Sequence, residues 1–338
     1  MKKGIFTLGC ILLLLSACRE KRSMWSVQGT ALGTFYEILY VGEEDRDMPR
    51  QVDSMLRHYN RLFSIFDTAS WISRLNRNET DSLPEALENV LQRSLELCLL
   101  TEGRFDITAA PLINAWGFGP EATAPPDSAR IDSLKQFVGY SLIRIQNHRL
   151  HKEDPRIQLN LNAIAKGYIV DCLAACVREK HPDFLVNIGG EISAGGKRPD
   201  GKDWVIGIQM PTRDSVEAGE QRHSFRLQAK QRVATSGDYR RYHTDSTGRR
   251  YAHIINPKTG YSETSDILSA TVIAEDCMTA DALATAFMVM GKEASLALLQ
   301  QHPEWSACLI AGGNGEWILH FTPDFPPSNH LTDKQSSK

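Results

Sequence analysis

The residue types best suited to chemistry include an acid and an alcohol four positions apart, Asp281 and Thr285. On a helix, such a pair projects from one face. A carboxylate, a hydroxyl and one further carbonyl are hard oxygen ligands of the kind that Mg²⁺ takes, and the ion keeps its other positions for water and substrate phosphates. The small side chains of Ala280, Ala284 and Ala286 predict space for a bulky ligand. The alternative is an alanine-rich core helix with one buried, hydrogen-bonded Asp.

A second candidate segment spans residues 159–171 and begins with two asparagines. Asn160 or Asn162 could cap a helix whose first turns hold small residues. Such a helix start presents unpaired N–H groups and a positive dipole end to phosphate. Lys166 would add a point charge suited to the same ligand. Because many helices begin with Asn and carry a Lys, this segment alone indicates a phosphate site only weakly.

His253 is the third candidate, on a predicted strand between a turn at Ser236-Gly237 and a turn at Asn256-Pro257. A neutral imidazole beside a turn is a plausible general base near neutral pH. A lone histidine is more often structural, so its position by itself does not establish catalysis.

The fourth candidate, residues 103–119, ends in Trp116-Gly117-Phe118-Gly119. Pro111 interrupts it, so we expect neither a regular helix nor a central strand. One interpretation is a loop hinged at its glycines that offers two aromatic faces to a planar ligand. The alternative is a loop that fills the core with Trp116.

Hydrophobic periodicity predicts the elements that must position these candidates. They are a hairpin over 25–41, helices over 48–63, 84–103, 162–180, 277–290 and 292–300, and strands over 184–188, 204–209, 224–227, 267–274 and around Cys308 and Ile318. Strands and helices do not alternate regularly. We therefore expect an α+β fold, in which a single domain has a mixed or antiparallel sheet core with flanking helices, rather than a doubly wound parallel sheet.

Composition narrows the function classes. The 38 Lys and Arg residues against 41 Asp and Glu residues give a net charge of −3, so no basic excess favours a nucleic-acid partner. A content of 42% hydrophobic and 23% charged residues is close to globular averages, which makes wholesale disorder or a coiled coil unlikely.

The N-terminus predicts export and a lipid anchor. An apolar run over residues 5–15 follows two lysines and is too short to span a bilayer comfortably, but it has the proportions of a signal peptide. Leu15-Ser16-Ala17-Cys18 resembles the bacterial lipobox, so we expect cleavage before Cys18 and lipidation of that residue. The chain would then be anchored to a membrane on the periplasmic, extracytoplasmic side. The alternative is an ordinary secretory signal cut after Ala17.

These boundaries predict four regions: a signal peptide over 1–17, a polar tether over 18–23, one folded domain over 24–322 and a flexible polar tail over 323–338. Without Cys10 in the signal and Cys18, an odd number of cysteines remains. We expect them to be buried free thiols. They are Cys98, Cys172, Cys176, Cys277 and Cys308.

Taken in order, the candidate segments resemble the ApbE family, the FAD:protein FMN transferases, from about Leu32 to Gly291. The residues themselves indicate a phosphate and metal site, and the resemblance supplies FAD as the ligand. The matching segments are Leu32-Gly33-Thr34, Phe63 to Asn76, Phe105 to Gly119, Asn160 to Asp171, the Ser236-Gly237-Asp238-Tyr239 turn, His253 to Gly260 and Ala280 to Thr285.

The resemblance also implies a role for each matching residue. Mg²⁺ would bind the carboxylate of Asp281, the hydroxyl of Thr285 and the carbonyl of Ala163, and His253 matches the proposed catalytic base of the family. The implied FAD contacts are Leu32, Phe66, Ala115, Trp116, Gly117, Asn160, Lys166, Ile255 and Ala284.

Three positions depart from the family pattern. Phe66 stands where members often have Tyr, which keeps stacking but removes a phenolic hydrogen bond. Asn160 replaces an acidic residue and so removes a charge beside the phosphates. Asn256 replaces the Asp of an Asp-Pro turn, a small change for a turn-former.

The activity implied by the resemblance is Mg²⁺-dependent transfer of the FMN moiety of FAD to a Thr or Ser hydroxyl of an acceptor protein, with release of AMP. The expected partner is the flavoprotein subunit of a membrane redox complex. Two alternatives stay open. Water in place of the acceptor would make an FAD pyrophosphatase that yields FMN and AMP, and a lipoprotein without chemistry would only bind and deliver FAD.

Overall fold

A computed structural model describes residues 22–120, 124–210, 221–228, 231–237, 242–244, 250–262, 265–313 and 316–328. The predicted signal peptide, Cys18 and residues 329–338 of the predicted tail lie outside the described residues.

The strands belong to one large sheet and three small hairpins. Their bounds are β1 (Met24–Ala31), β2 (Thr34–Val41), β3 (Ile143–Gln146), β4 (Arg149–Lys152), β5 (Phe184–Ile188), β6 (Glu191–Gly195), β7 (Trp204–Gln209), β8 (Gln221–Leu227), β9 (Arg232–Gly237), β10 (Tyr242–Thr244), β11 (Arg250–Ala252), β12 (Ile267–Ala274), β13 (Ser306–Gly313) and β14 (Glu316–Phe321). The large sheet has the order β1-β2-β5-β6-β9-β12-β13-β14, and its neighbouring strands pair antiparallel.

The helices flank this sheet. They are α1 (Met48–Phe63), α2 (Trp71–Asn76), α3 (Glu85–Leu100), α4 (Ala110–Ala115), α5 (Ser128–Lys135), α6 (Ala165–Lys180) and α7 (Cys277–Gln301), with short 3₁₀ turns at Ile107–Ala109 and Tyr140–Leu142. The predicted α+β fold with an antiparallel sheet is confirmed.

Helix α7 is long and apolar enough to cross a bilayer, but 56% of its most apolar window is buried within the protein. Gly291, with φ 76°, interrupts it and separates the two helices that the sequence predicts there. An apolar helix packed on several sides is the expected centre of a core. We therefore interpret α7 as a core helix.

Two apolar layers cover the two faces of the sheet. Helices α6 and α7 pack on one face, where Val186 and Val272 point into the larger core. The alternate strand residues Leu185 and Ile273 point to the other face, where they meet apolar side chains of the β7–β8 hairpin. This alternation follows from the two-residue period of a strand.

Helices α6 and α7 contact each other closely at Gly167. A Cβ atom on Gly167 would lie 2.2 Å from the carbonyl oxygen of Cys277 and 2.7 Å from the Cα of Met278. Only glycine therefore lets the first turn of α6 reach the first turn of α7 at this distance. The contact brings residues 163–167 beside residues 277–285.

Three local predictions are wrong. Pro111 lies in the first turn of α4, where its missing N–H costs no hydrogen bond, so this segment is helical. Asn160 and Asn162 do not cap α6, since its N-cap is Ile164. The pair Ser236-Gly237 forms no turn but ends β9, where both residues pair with β12.

The folded region also extends past its predicted boundaries. In the predicted tether, Arg22 forms an ion pair with Asp183, and the carbonyl of Ser23 accepts a hydrogen bond from Gly42. In the predicted tail, Phe325 is buried against Phe225. The charge of Arg22 thus fixes the N-terminal end, and the aromatic ring of Phe325 fixes the C-terminal end.

The five described cysteines are free, as predicted. Cys98, Cys277 and Cys308 are buried. Cys172 and Cys176 are half-buried, so the prediction of full burial is wrong for this pair. Both lie on α6, and only one side of that helix faces the core.

We expect Gly167→Ala to lower the free energy of unfolding by about 2 kcal/mol, because the new methyl group overlaps the Cys277 carbonyl in a packed interface. Ordinary helix propensity predicts the opposite sign, since Ala is favoured over Gly within a helix by up to about 1 kcal/mol. Urea unfolding of the purified chain measures the difference.

The control is Ala175→Gly at an exposed position of the same helix, which should cost about 1 kcal/mol from propensity alone. A Gly167→Ala variant as stable as the parent chain would contradict the close contact between α6 and α7.

Candidate functional site

Asp281 is the buried centre of a cluster between α6 and α7. Its Oδ2 accepts a hydrogen bond of 3.0 Å from the backbone N–H of Gly167, and its Oδ1 lies 3.4 Å from the Nζ of Lys166. The carboxylate is 2% exposed. The first turn of α6 therefore faces this acid with one amide and one ammonium group, both of which stabilise a negative charge.

Glu191 is a second acid in this cluster, and the sequence analysis missed it. Its Oε1 lies 2.6 Å from the Nζ of Lys166, and the residue is 3% exposed. The sequence signal was present as Gly189-Gly190 between two apolar runs, which is a hairpin turn that places the next residue at the start of a strand. A lone acid at the start of a buried strand was the clue.

Burial and neighbouring charges shift the pKa values of Lys166 and Glu191. Burial alone would lower the pKa of Lys166, but the neighbouring carboxylates of Asp281 and Glu191 outweigh it and raise that pKa. Burial raises the pKa of the Glu191 carboxyl, and Lys166 opposes that shift. The ammonium therefore stays charged, and its two carboxylate neighbours compete for it.

Thr285 lies one turn after Asp281 on α7, and its hydroxyl is 3.1 Å from the hydroxyl of Ser236 on β9. The side chain of Thr285 is half-buried. The contact explains why Ser236 belongs to the site although it forms no turn. It fixes the Thr285 hydroxyl on the same side of α7 as the Asp281 carboxylate.

The oxygen atoms in this region suit a hard cation. In a continuing helix the N–H of Gly167 would donate to the carbonyl of Ala163, but here it donates to Asp281. Among the described residues, no group of three His, Cys, Asp or Glu side chains could hold a metal. A divalent ion here would therefore use the Asp281 carboxylate with hydroxyl and carbonyl oxygens, which is the ligand type that Mg²⁺ prefers.

Within the described parts of the chain, the small side chains of α7 do not open onto free space. Ala280, Ala284 and Ala286 are all fully buried in the large core, so their small side chains admit neighbouring protein groups rather than a ligand. The side chain of Ala284 therefore has no exposed surface with which to make the implied contact with FAD. The prediction of space was wrong because it counted side-chain size without the packing partners of the helix.

Asp171 holds the start of α7 in place from the next turns of α6. Its two carboxylate oxygens each accept a 3.0 Å hydrogen bond, from the N–H groups of Cys277 and Met278. Burial raises the pKa of Asp171 to about 6, although these two hydrogen bonds oppose the shift. The side chain thus satisfies amides at the N-terminus of α7, which have no partner within the helix.

The predicted aromatic loop packs into the protein. Trp116 is buried, and its indole N–H donates a 2.8 Å hydrogen bond to the carbonyl of Gly260. Its ring lies 5.0 Å from the ring of Tyr251. Ile255 shares this apolar cluster, and Ala115 is buried beside it on α4. Of the two interpretations of Trp116, the one in which it fills the core describes this structure.

His253 follows β11 directly and is half-buried at a bend. Its ring lies 6.3 Å from the ring of Phe118, edge to face. Gly117, with φ 80°, turns the chain between Trp116 and Phe118. The structure thus brings the predicted base together with the predicted aromatic loop.

Leu32 and Phe66 lie on two separate turns. Leu32 has φ 53° and forms the two-residue turn between β1 and β2 with Gly33, where its half-buried side chain packs against the large core. Phe66 lies between α1 and α2 and is exposed. An exposed ring on a turn is available to stack on a planar group.

Asn160 is buried and acts within its own segment. Its Oδ1 accepts a 2.9 Å hydrogen bond from the N–H of Asn162, and its own N–H donates to the carbonyl of Ile107. The preceding residue, Leu159, makes two backbone hydrogen bonds with the side chain of Asn76. Its N–H donates to Oδ1, and its carbonyl accepts from Nδ2. These bonds fix the chain that leads into Ala163 and Lys166.

The sequence of this chain is similar to a known family and to curated relatives. The ApbE family model matches residues 32–310. The FAD:protein FMN transferase of Vibrio cholerae serotype O1 is 34% identical over 306 residues, which cover 86% of this chain and 88% of that protein. The FAD:protein FMN transferase of Haemophilus influenzae is 32% identical over 319 residues, which cover 90% and 91%.

Solved structures show the same similarity. The flavin transferase ApbE from Vibrio cholerae superposes with a TM-score of 0.81 at 30% identity and covers 90% of this chain and 98% of its own. The flavinyl transferase ApbE of Pseudomonas stutzeri, in its apo form, superposes with a TM-score of 0.79 at 28% identity and covers 89% and 95%.

Proposed function

This chain belongs to the ApbE family, and from that premise we propose that it is an FAD:protein FMN transferase, which moves the FMN moiety of FAD to an acceptor protein. Similarity runs over nearly the whole of both chains, so the family and the transferase class predicted from the sequence are confirmed. The finer chemistry below is our proposal.

One observation carries the chemical part of this proposal. A buried acid on α7 faces the first turn of α6 with its lysine, and a half-buried alcohol lies one helical turn further along α7. This combination offers oxygen ligands for a divalent ion beside positive groups for phosphate. A diphosphate substrate such as FAD requires both.

The proposed ligands of Mg²⁺ are the carboxylate of Asp281, the hydroxyl of Thr285 and the carbonyl of Ala163. When bound, the ion supplies positive charge to the pyrophosphate oxygens of FAD. Lys166 adds its own charge at the start of α6. Asn160 orders the chain leading to these groups through its hydrogen bonds to the backbone.

For the transfer step, we assign the role of general base to His253. Its imidazole takes the proton from the Oγ of a threonine or serine of the acceptor. That oxygen forms a bond to the phosphorus on the FMN side, and the bond from this phosphorus to the bridging oxygen breaks. AMP leaves with the bridging oxygen, so the products are a flavin phosphoester and AMP.

We propose that lipid on Cys18 anchors the chain to a membrane on its extracytoplasmic side. The described residues begin at Arg22, which is ion-paired to Asp183. Four residues span at most about 14 Å, so the folded domain would lie close to the membrane surface. This position suits an acceptor that is itself the flavoprotein subunit of a membrane redox complex.

The test is incubation of the purified chain with FAD, Mg²⁺ and a candidate membrane flavoprotein subunit, followed by in-gel flavin fluorescence and quantification of AMP. We expect a fluorescent acceptor band and an equal amount of AMP. A Thr→Ala variant of the acceptor at the modified residue should stay dark.

Other outcomes would contradict the proposal. AMP and FMN formed without a labelled acceptor would identify a pyrophosphatase. FAD that binds but stays unchanged, over the same Mg²⁺ range and with several acceptors, would identify a carrier.

Asp281→Ala should abolish the Mg²⁺-dependent transfer, because it removes the charged metal ligand, and Asp281→Asn should do the same while it keeps the shape of the side chain. The measurement is the rate of acceptor labelling as a function of Mg²⁺ concentration. Asp132→Ala, at an exposed position of α5, is the control and should label at the parent rate. Full activity of both Asp281 variants would remove this residue from the metal site.

His253→Ala should slow transfer by about 10²–10⁴-fold, the usual contribution of a general base, while FAD still binds. Stopped labelling time courses and the quenching of flavin fluorescence on binding separate the two effects. His58→Ala replaces an exposed histidine on α1 and is the matched control. Unimpaired labelling by His253→Ala would show that another group takes the proton.

A further inference from the structure

Glu191 occupies a fixed position that no role in the transfer yet explains. It follows the Gly189-Gly190 turn between β5 and β6, and it pairs with Ile188 in the register of that hairpin. The turn is rigid, since the side chain of Asn187 accepts a 3.0 Å hydrogen bond from the N–H of Gly190. The carboxyl group therefore enters the space below the first turn of α6 from a defined direction.

One oxygen of this carboxyl group is unused. Oε1 binds Lys166 at 2.6 Å, whereas Oε2 is buried without a hydrogen-bond partner within the described parts of the chain. A buried carboxylate oxygen without a partner is costly, so it is retained only for a reason. The Lys166 ammonium, which already binds Oε1, has three donor hydrogens and could use this second oxygen.

Lys166 is shared between two acids. Its Nζ lies 2.6 Å from Glu191 and 3.4 Å from Asp281, and its side chain is 29% exposed, against 4% and 3% for the two acids. A cation that binds Asp281 meets an ammonium already close to that carboxylate. Two cations at one carboxylate repel each other, so the lysine must move away or the metal binds weakly.

We propose that Glu191 is a positioning residue that holds Lys166 away from Asp281 and so keeps Asp281 open to a divalent ion. This inference rests on the proposed metal role of Asp281. Glu191 offers the ammonium a closer partner, and its second oxygen can accept a further hydrogen bond when Lys166 leaves Asp281. The charged ammonium then stays paired with Glu191 at the start of α6 instead of blocking the metal ligand.

A merely structural Glu191 predicts different behaviour. In that case its loss would lower the stability of the hairpin and of the sheet but would leave the affinity of the folded chain for Mg²⁺ unchanged. The two roles are separated by measuring metal binding and unfolding on the same variants.

The decisive experiment is calorimetric titration of Mg²⁺ into the purified chain without FAD or acceptor, with thermal unfolding in parallel. Glu191→Gln keeps the shape and removes the charge. We expect the dissociation constant for Mg²⁺ to rise at least about tenfold, the scale that is typical when a residue supporting the surroundings of a metal site is lost. Glu88→Gln is the control, since it removes a half-buried acid that pairs with His148 far from this cluster.

The lysine provides a second, independent arm. Lys166→Met in the Glu191→Gln background removes the competing charge, so the double variant should bind Mg²⁺ more tightly than Glu191→Gln alone. Lys166→Met alone should bind at least as tightly as the parent chain. If Glu191→Gln does not fold, Lys166→Met alone still tests whether the lysine competes with Mg²⁺ for Asp281.

Three results would overturn the proposal: unchanged Mg²⁺ affinity in folded Glu191→Gln, a double variant no tighter than the single one, or weaker binding by Lys166→Met. Because the titration contains no flavin, it is independent of transfer. A parent chain that binds Mg²⁺ but labels no acceptor would refute the transferase and leave the role of Glu191 to be decided by the titration. A parent chain that binds no Mg²⁺ would refute the role of Glu191.

Discussion

The structure depends on how one buried carboxylate, that of Asp281, is stabilised. A charge at this depth is tolerated only with close partners, because its transfer out of water costs several kcal/mol. Its partners are the N–H of Gly167 and the ammonium of Lys166, both on the first turn of α6. They reach it because Gly167 has no Cβ that would meet the Cys277 carbonyl. The missing side chain of Gly167 therefore permits both the close approach of the two helices and the stabilisation of the acid at the site.

The sheet supplies the rest of this arrangement through one turn. Gly189 donates a backbone hydrogen bond to Phe35, and a Cβ on it would lie 2.8 Å from the hydroxyl of Thr34. The β5–β6 turn that carries Glu191 thus packs directly on the start of β2, next to the turn that carries Leu32. The packing of these two turns therefore positions both Leu32, an implied flavin contact, and the buried acid Glu191. Leu32 and Glu191 therefore lie on neighbouring turns although they are far apart in sequence.

Periodic segments could be predicted from the sequence, and contacts between segments could not. The apolar stripe of α1 and the short, nearly continuous buried run of β12 could be predicted, since each is a pattern within one element. Ser236 was assigned to a turn because Ser-Gly is a common turn pair, but ladder bonds to β12 override that preference. Glu191 was missed because its partner Lys166 comes from a helix 25 residues earlier, and no local pattern records that meeting.

The burial of the alanines on α7 restricts how a substrate reaches the acid. Ala280 and Ala284 are closed off by the core, so approach across that face of the helix is blocked. Lys166, Thr285 and Ser236 are only partly buried and keep solvent-accessible surface. In the proposed mechanism, a phosphate would arrive past the first turn of α6, where it would meet the lysine before the acid. In the proposed mechanism, the charge of Lys166 at that entrance would attract the anionic substrate, while Glu191 would hold the lysine apart from Asp281.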